Sequence, residues 1–277
     1  MLGFRIRRKI TSLLSYILAC VAVFLTLFPI LWIFSISIKT QRDAFAIPPV
    51  IIFKPIWSNY TKIWQTAGFA QAFRNSAIVT MLGVLLALVV GIPAAYALNR
   101  LPFKGKKALT IWLLLSYMLP EFLFIIPMYI LYQKIGLYDT QIGLAIVYQV
   151  FVLPFTIWLL RGFFADVPIE LEDAARIDGC TRFQTLRRIY LPLTAPGIAA
   201  TAILTSIWIW NELTIALALT FETSRTVTVA VAGFRGYASI DWGSMTAASI
   251  VSILPMFVFA ALAQRYIVEG LTLGAVK

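Results

Sequence analysis

Two carboxylates stand in stretches of sequence that otherwise avoid charge. Glu121 follows Pro120 in the apolar run Ala108–Tyr132, and Glu212 follows Trp208, Trp210 and Asn211 in the run Pro196–Leu219. An ionised side chain at mid-bilayer costs about 2.5–3.5 kcal/mol on insertion scales, so such residues face protein or water. Their neighbours define the chemistry on offer. Trp208, Trp210 and Tyr117 present aromatic faces, while Asn211 and the two acids present hydrogen-bonding groups. A ring-shaped, hydroxyl-bearing solute suits that mixture, because its apolar face can stack while its hydroxyls are met by polar groups. Interhelical hydrogen bonding explains the same residues without any ligand. Tyr148 and Gln149 are weaker candidates of the same kind. Metal and nucleophile chemistry find no footing. The chain has no His and only two cysteines, Cys20 and Cys180, neither with a second Cys nearby. That removes most zinc sites and every His-based triad.

A second patterned stretch lies between Ala165 and Ala195, reading ADVPIELEDAARIDGCTRFQTLRRIYLPLTA. Pro168 is suited to open a helix, and Glu170, Glu172 and Asp173 complement the positive end of its dipole. Gly179 can take the left-handed conformation that closes it. Thr181 with Gln184 three residues later forms a capping-box pattern for a second helix, with Phe183, Leu186 and Ile189 on its apolar face and Pro192 at its end. Two short helices at about a right angle can lie on a membrane as an anchor or fill a groove on a soluble partner; the periodicity favours neither.

The elements that must position these residues are membrane helices. Of the 277 residues 61% are hydrophobic and 13% charged, against roughly half and a quarter in soluble domains. The excess falls in blocks long enough to cross a bilayer, about 20 residues each. Six can be drawn: Ser12–Ile38, Phe73–Leu98, Ala108–Tyr132, Ile142–Leu160, Pro196–Leu219 and Ser244–Tyr266. The expected fold class is therefore all-α, a six-helix polytopic membrane protein built as one domain over residues 1–277. Pro120 and Pro127 each remove a backbone donor from the third block, which need not be straight. A lipoprotein-like Ile17-Leu18-Ala19-Cys20 is outweighed by the apolar run continuing to Phe34, so the first helix is expected to stay.

The net charge of +11 is what cytoplasmic segments of membrane proteins carry, and no nucleic-acid module accompanies it. Of the 23 Lys and Arg residues, 15 fall on one side when both termini are cytoplasmic, among them Arg5, Arg100, Lys104, Arg161, Arg176, Arg187 and Arg265. The other 8, such as Lys39, Lys62, Lys134 and Arg225, fall outside. The positive-inside bias thus places both termini in the cytoplasm. An outside segment of about 34 residues joins the first two blocks. Its Pro48, Pro49 and Pro55 keep it out of either helix, and Trp57, Tyr60 and Trp64 suit the headgroup region.

The patterned loop also carries a resemblance. Asp173-Ala174-Ala175, three residues, Gly179, nine residues, then Ile189, Leu191 and Pro192 match the EAA loop of permease subunits of binding-protein-dependent ATP-binding-cassette importers. Asp173 stands where the family usually has Glu, keeping the charge with one methylene less reach. The resemblance runs along nearly the whole chain and is closest to the maltose-type, carbohydrate-uptake branch. Asn59-Tyr60, Asn75-Ser76, Ala94-Ala95-Tyr96-Ala97 through Arg100 and Gly105, Trp210-Asn211, Gln264-Arg265-Tyr266, Gly270-Leu271-Thr272 and the tail Gly274-Ala275-Val276-Lys277 fall in the family's order.

The resemblance implies that Asp173, Ala174, Ala175, Asp178, Gly179, Ile189, Leu191 and Pro192 meet a separate ATPase and carry its motion to the helices, with the C-terminal tail reaching that ATPase dimer as well. It further implies a second permease subunit in a heterodimer, an extracytoplasmic solute-binding protein, a sugar or polyol cargo and a bacterial inner-membrane location, with membrane lipid around the helices and no nucleic-acid partner. No G-x-x-x-x-G-K-[S/T] phosphate loop occurs in the chain. No cofactor is therefore expected here, and ATP and Mg belong on the partner. The chain is read as a transport subunit and not an enzyme. An ion-gradient-driven secondary transporter is the alternative, with Glu121 beside Pro120 as its coupling acid at a broken helix. An intramembrane enzyme would need a nucleophile and base that these residues do not supply.

Overall fold

The structure is a computed structural model that describes residues 2–65, 68–234 and 241–273, with side chains for 12, 14–65, 68–234 and 241–264. All its regular elements among these residues are helical. In chain order they are α1 (Leu2–Ser37), α2 (Gln41–Ala44), α3 (Ser58–Gln65), α4 (Phe69–Arg100), α5 (Lys106–Tyr117), α6 (Phe122–Ile135) and α7 (Gln141–Ala165). There follow α8 (Ile169–Ile177), α9 (Arg182–Thr185), a π-helical turn (Leu186–Tyr190), α10 (Leu191–Leu193), α11 (Ala195–Asn211), α12 (Thr214–Leu219), α13 (Val227–Ala232) and α14 (Trp242–Leu273).

Four segments are long and apolar enough to span a bilayer alone: Leu14–Ser37, Phe69–Arg100, Gln141–Ala165 and Trp242–Gln264. Two broken pairs raise the number to six if each is one span. One is α5 with α6, bent by 95°, and the other Arg182–Leu193 with α11, bent by 79°. The third sequence block is thus two helices. Pro120 disfavours helical backbone at Leu119, so α5 stops at Tyr117 and Glu121 stands at the head of α6. Pro127 is absorbed inside α6. The fifth block is interrupted as well, because Glu212 is extended (ψ 130) between α11 and α12.

The chain forms two compact units, Met1–Thr66 with Val231–Val251, and Ala67–Ala230 with Ser252–Lys277. In the first, Asn59 and Tyr60 secure the end of α1. The Asn59 amide donates to the carbonyls of Ser37 (2.8 Å) and Lys39 (3.1 Å), and the Ser37 and Tyr60 hydroxyls lie 2.8 Å apart. Lys62 pairs with Asp241 at 2.5 Å, and Asp241 caps α14 by accepting from the Ser244 N–H.

The second unit is built on α4 against α7 and α11. Gly83, Ala87, Gly91 and Ala95 recur every four residues on α4 and are all buried. Small residues at that spacing let helix backbones approach where no hydrophobic force separates protein from lipid. A Cβ on Gly83 would stand 2.6 Å from Ile209 Cδ1 of α11, and one on Gly91 would stand 2.8 Å from Thr156 Cγ2 of α7. Gln149 donates to the Gly83 carbonyl at 3.1 Å, which makes it a helix-to-helix tie.

Candidate functional site

The hinge between α5 and α6, the middle of α7 and the C-terminal end of α11 enclose a cavity of about 530 Å³. Its lining brings together five of the residues read from the sequence: Tyr117, Glu121, Trp208, Asn211 and Glu212. Phe151 and Phe155 of α7, one helical turn apart, complete an aromatic wall that the sequence did not single out. Trp208 stacks on Phe151 (5.9 Å between centroids, 23°) and Tyr117 on Phe155 (6.0 Å, 19°). Trp210, next but one to Trp208, turns about 200° around the helix and lies outside this lining. Its indole is buried, donates to the Ser252 carbonyl at 3.0 Å and packs edge-on against Phe73 and Phe259. Trp210 is thus a packing residue between α4, α11 and α14.

Glu212 explains why the fifth block breaks. Its carboxylate accepts the N–H groups of Ile215 (2.6 Å) and Ala216 (3.0 Å), capping α12, and the Tyr148 hydroxyl at 2.8 Å. Three of its acceptor positions are thereby spent on protein, and it is 7% exposed. Asn211 is exposed; its amide donates to Ile207 O (2.8 Å) and lies 3.3 Å from Met256 Sδ. The cavity therefore offers aromatic faces on one side and carboxylate, amide and hydroxyl groups on another. Such a wall can stack on a ring and exchange hydrogen bonds with hydroxyls.

The loop after α7 is folded as the spacing predicts, with three differences. Pro168 stands just outside α8 as its N-cap. Helix α8 closes with paired bonds, Cys180 N–H to Ala175 O (2.9 Å) and Gly179 N–H to Arg176 O (3.1 Å), around Gly179 at φ +81°. This is the Schellman arrangement. The capping box is present, Thr181 N–H to Gln184 Oε1 at 2.8 Å and Gln184 N–H to Thr181 Oγ1 at 3.3 Å. Pro192 does not end the second helix, which runs on to Leu193. The π-helical turn ahead of it widens the backbone and accommodates the missing proline donor. Phe183 is not on the buried face but 71% exposed, while Thr185 and Tyr190 are buried instead.

The loop residues thus divide by face. Asp173, Ala174, Asp178, Gly179 and Pro192 are exposed, joined by Ile177 at 87% exposure. Ala175 is buried at 6%, and Ile189 and Leu191 are half-buried against the core that holds Tyr96, Leu160 and Phe164. Glu172, read from the sequence as a helix-dipole residue, is buried and accepts the hydroxyls of Tyr96 (3.0 Å) and Tyr190 (2.8 Å). The pattern held a signal for this contact: Tyr96 and Arg100 stand four apart on the last turns of α4, on one face.

At the other end of α7, Asp139 precedes the helix at φ +54°. Its carboxylate accepts the backbone N–H groups of Phe221, Glu222, Thr223 and Ser224 at 2.9–3.1 Å, and the Ser224 hydroxyl at 2.9 Å. Burial opposes its charge, yet these donors outweigh it and hold the carboxyl well below the usual range. Asn75 extends the latch by donating to the Thr223 and Arg225 carbonyls. The tail Gly274-Ala275-Val276-Lys277 lies outside the described residues, as do Arg235 and the side chains of Arg5, Arg7, Arg8, Lys9 and Arg265.

Comparison with known proteins agrees with this architecture. Residues 83–272 match the family described as binding-protein-dependent transport system inner membrane component. The chain is 41% identical over 257 residues to the trehalose transport system permease protein SugB of Mycobacterium tuberculosis (strain CDC 1551 / Oshkosh), covering 91% of this chain and 92% of that protein. It is 35% identical to the trehalose/maltose transport system permease protein MalG of Thermococcus litoralis, over 94% of each. A chain of a crystal structure of a bacterial ABC transporter involved in alginate import shares its fold, with a TM-score of 0.77 at 23% identity over 93% of this chain and 96% of that one. Nothing in these likenesses supports the ion-gradient-driven alternative. With its apolar spanning helices, its small-residue helix packing and a family match over most of its length, the chain is a multi-pass membrane protein and belongs to the inner membrane components of binding-protein-dependent transport systems.

Proposed function

We propose that this chain is the membrane-spanning subunit of an ATP-driven importer that passes a carbohydrate or related polyol from an extracytoplasmic solute-binding protein into the cytoplasm. The observation that carries the reading is the α8–α9 segment, which follows α7 directly and is held rigid by a Schellman closure and a capping box. Its outer face mixes acids (Asp173, Asp178) with bare apolar side chains (Ile177, Phe183). Such a face fits a groove on a soluble partner. That partner is an ATPase dimer carrying ATP and Mg, engaged through Asp173, Ala174, Asp178 and Gly179. Pro192 shares that exposed face, while Ala175, Ile189 and Leu191 support the segment from behind.

Both termini are cytoplasmic in this reading, the membrane is the bacterial inner membrane, and a second permease subunit completes a heterodimer. The cavity lined by Tyr117, Glu121, Trp208, Asn211 and Glu212 is this subunit's share of the solute path. A carbohydrate cargo is supported by the aromatic and polar mixture of that wall and by the sugar permeases to which the chain is similar.

The test is affinity purification of this chain from its native membrane, with identification of every chain that accompanies it. Recovery of an ATPase, a second permease and a solute-binding protein is the expected result, and the solute carried by that binding protein names the cargo. Recovery of this chain alone, under conditions that keep such complexes intact, overturns the proposal.

A further inference from the structure

The buried Glu172 is used neither by the solute cavity nor by the outer face of α8. It is neighbour in sequence to Asp173, yet the 100° step of the helix turns one residue into the protein and the other to solvent. Two elements, α4 and the π-helical turn, converge on its carboxylate. Tyr96 from α4 donates to Oε1 at 3.0 Å, and Tyr190 from the π-helical turn donates to Oε2 at 2.8 Å. Arg100, at the last residue of α4, brings its Nε to 3.7 Å from Oε2. The same guanidinium donates to the carbonyls of Phe164 (3.2 Å), in the last turn of α7, and of Val167, just past it, and lies 5.5 Å over the Tyr190 ring. Tyr190 is packed edge-on by Tyr96 (5.0 Å) and Phe164 (5.6 Å).

A buried ion pair is a poor way to gain stability, since apolar residues of similar volume serve as well or better. What a carboxylate with two hydroxyl donors and a guanidinium supplies is direction: charge-assisted hydrogen bonds fix orientation, whereas an apolar plug can slide. We propose that Glu172, held by Tyr96, Tyr190 and Arg100, is the positioning residue that locks α8 to the end of α4, so that displacement of α8 is handed to the membrane helix. This rests on the reading that α8 receives motion from the ATPase, and it adds where that motion goes.

The experiment uses the intact co-purified importer in lipid nanodiscs, with Cys20 and Cys180 replaced by serine. A bimane fluorophore is placed on Glu170→Cys, exposed on α8, or in a second sample on Val89→Cys, exposed on α4. The reading is the fluorescence shift on adding ATP, Mg and vanadate. Both probes are expected to respond in the parent. In Tyr96→Phe/Tyr190→Phe, which keeps both rings and their packing, the α8 response persists while the α4 response falls by at least about tenfold, as loss of two hydrogen bonds to one carboxylate predicts. Glu172→Gln, which keeps one acceptor oxygen but loses the charge facing Arg100, is expected to lose part of the α4 response, and restoring either tyrosine alone to recover part of it. An α4 response that survives in both variants, or that is missing from the parent while α8 responds, overturns the joint. A parent in which the α8 probe is silent overturns the coupling reading beneath it instead.

Discussion

Replacing Asp139 by alanine removes the acceptor for five donors at once, four of them successive backbone N–H groups from Phe221 to Ser224 and the fifth the Ser224 hydroxyl. The donors do not all suffer equally. Phe221, Glu222 and Thr223 are exposed and can turn to water, which limits each loss to about 0.5 kcal/mol. Ser224 is 1% exposed, so its N–H and hydroxyl are left unpaired in the protein. At about 1 kcal/mol or somewhat less for each of these, the loss totals about 3 kcal/mol, a roughly hundredfold shift in the opening equilibrium of the segment.

Hydrogen–deuterium exchange of the peptide covering residues 219–227 reads that equilibrium directly. Asp139→Asn keeps one oxygen and should lose about half as much. The parent latch should also weaken in acid. Folding lowers the Asp139 carboxyl below its unfolded value, so its contribution is complete above about pH 4 and is lost as pH falls through the lower folded value. Exchange of residues 221–224 that is unchanged in Asp139→Ala, or that loosens on raising rather than lowering pH, refutes the reasoning.

Glu212→Ala strips the cap from α12 and leaves the buried Tyr148 hydroxyl unpaired, so about 2–4 kcal/mol of stability should disappear in detergent melts, while Glu212→Gln keeps most of it. Uptake that is normal in a well-folded Glu212→Gln complex would leave the residue a capping role alone. Gly91→Leu places a side chain where even a Cβ stands 2.8 Å from Thr156, and should cost about 1–3 kcal/mol through overpacking between α4 and α7, seen as a lowered melting temperature. Gly179→Asp meets no neighbour but must hold a left-handed backbone at φ +81°, which Asp tolerates better than most residues, at about 1 kcal/mol. Membrane insertion should survive that change while co-purification of the ATPase and solute-stimulated hydrolysis fall. Full stimulation in that variant would remove Gly179 from the contact.

Hydropathy alone announced the membrane helices, because a bilayer imposes one length on every spanning segment and any long uncharged run meets it. Capping signals were equally legible. Thr181 with Gln184 and the glycine at 179 specify bonds to backbone a few residues away, so no distant partner is needed to read them. The faces of α8 and α9 were not legible: Phe183 looked buried by periodicity and is exposed, while Glu172 was read only as a helix-dipole acid and is buried. Which side of a short helix is inner depends on what lies beneath it, here the end of α4, some 76 residues earlier in the chain as the Tyr96 contact measures it.

The cavity divides in the same way. The sequence supplied the residue types, and five of six candidates share one lining. The 95° turn between α5 and α6 brings Tyr117 and Glu121 to the end of α11, and helical phase sends Trp210 elsewhere. Local rules act through backbone bonds spanning a few residues and are written in order along the chain. The polar joint at Glu172 and the latch at Asp139 are made of side chains reaching across the fold, and only packing decides whom they meet.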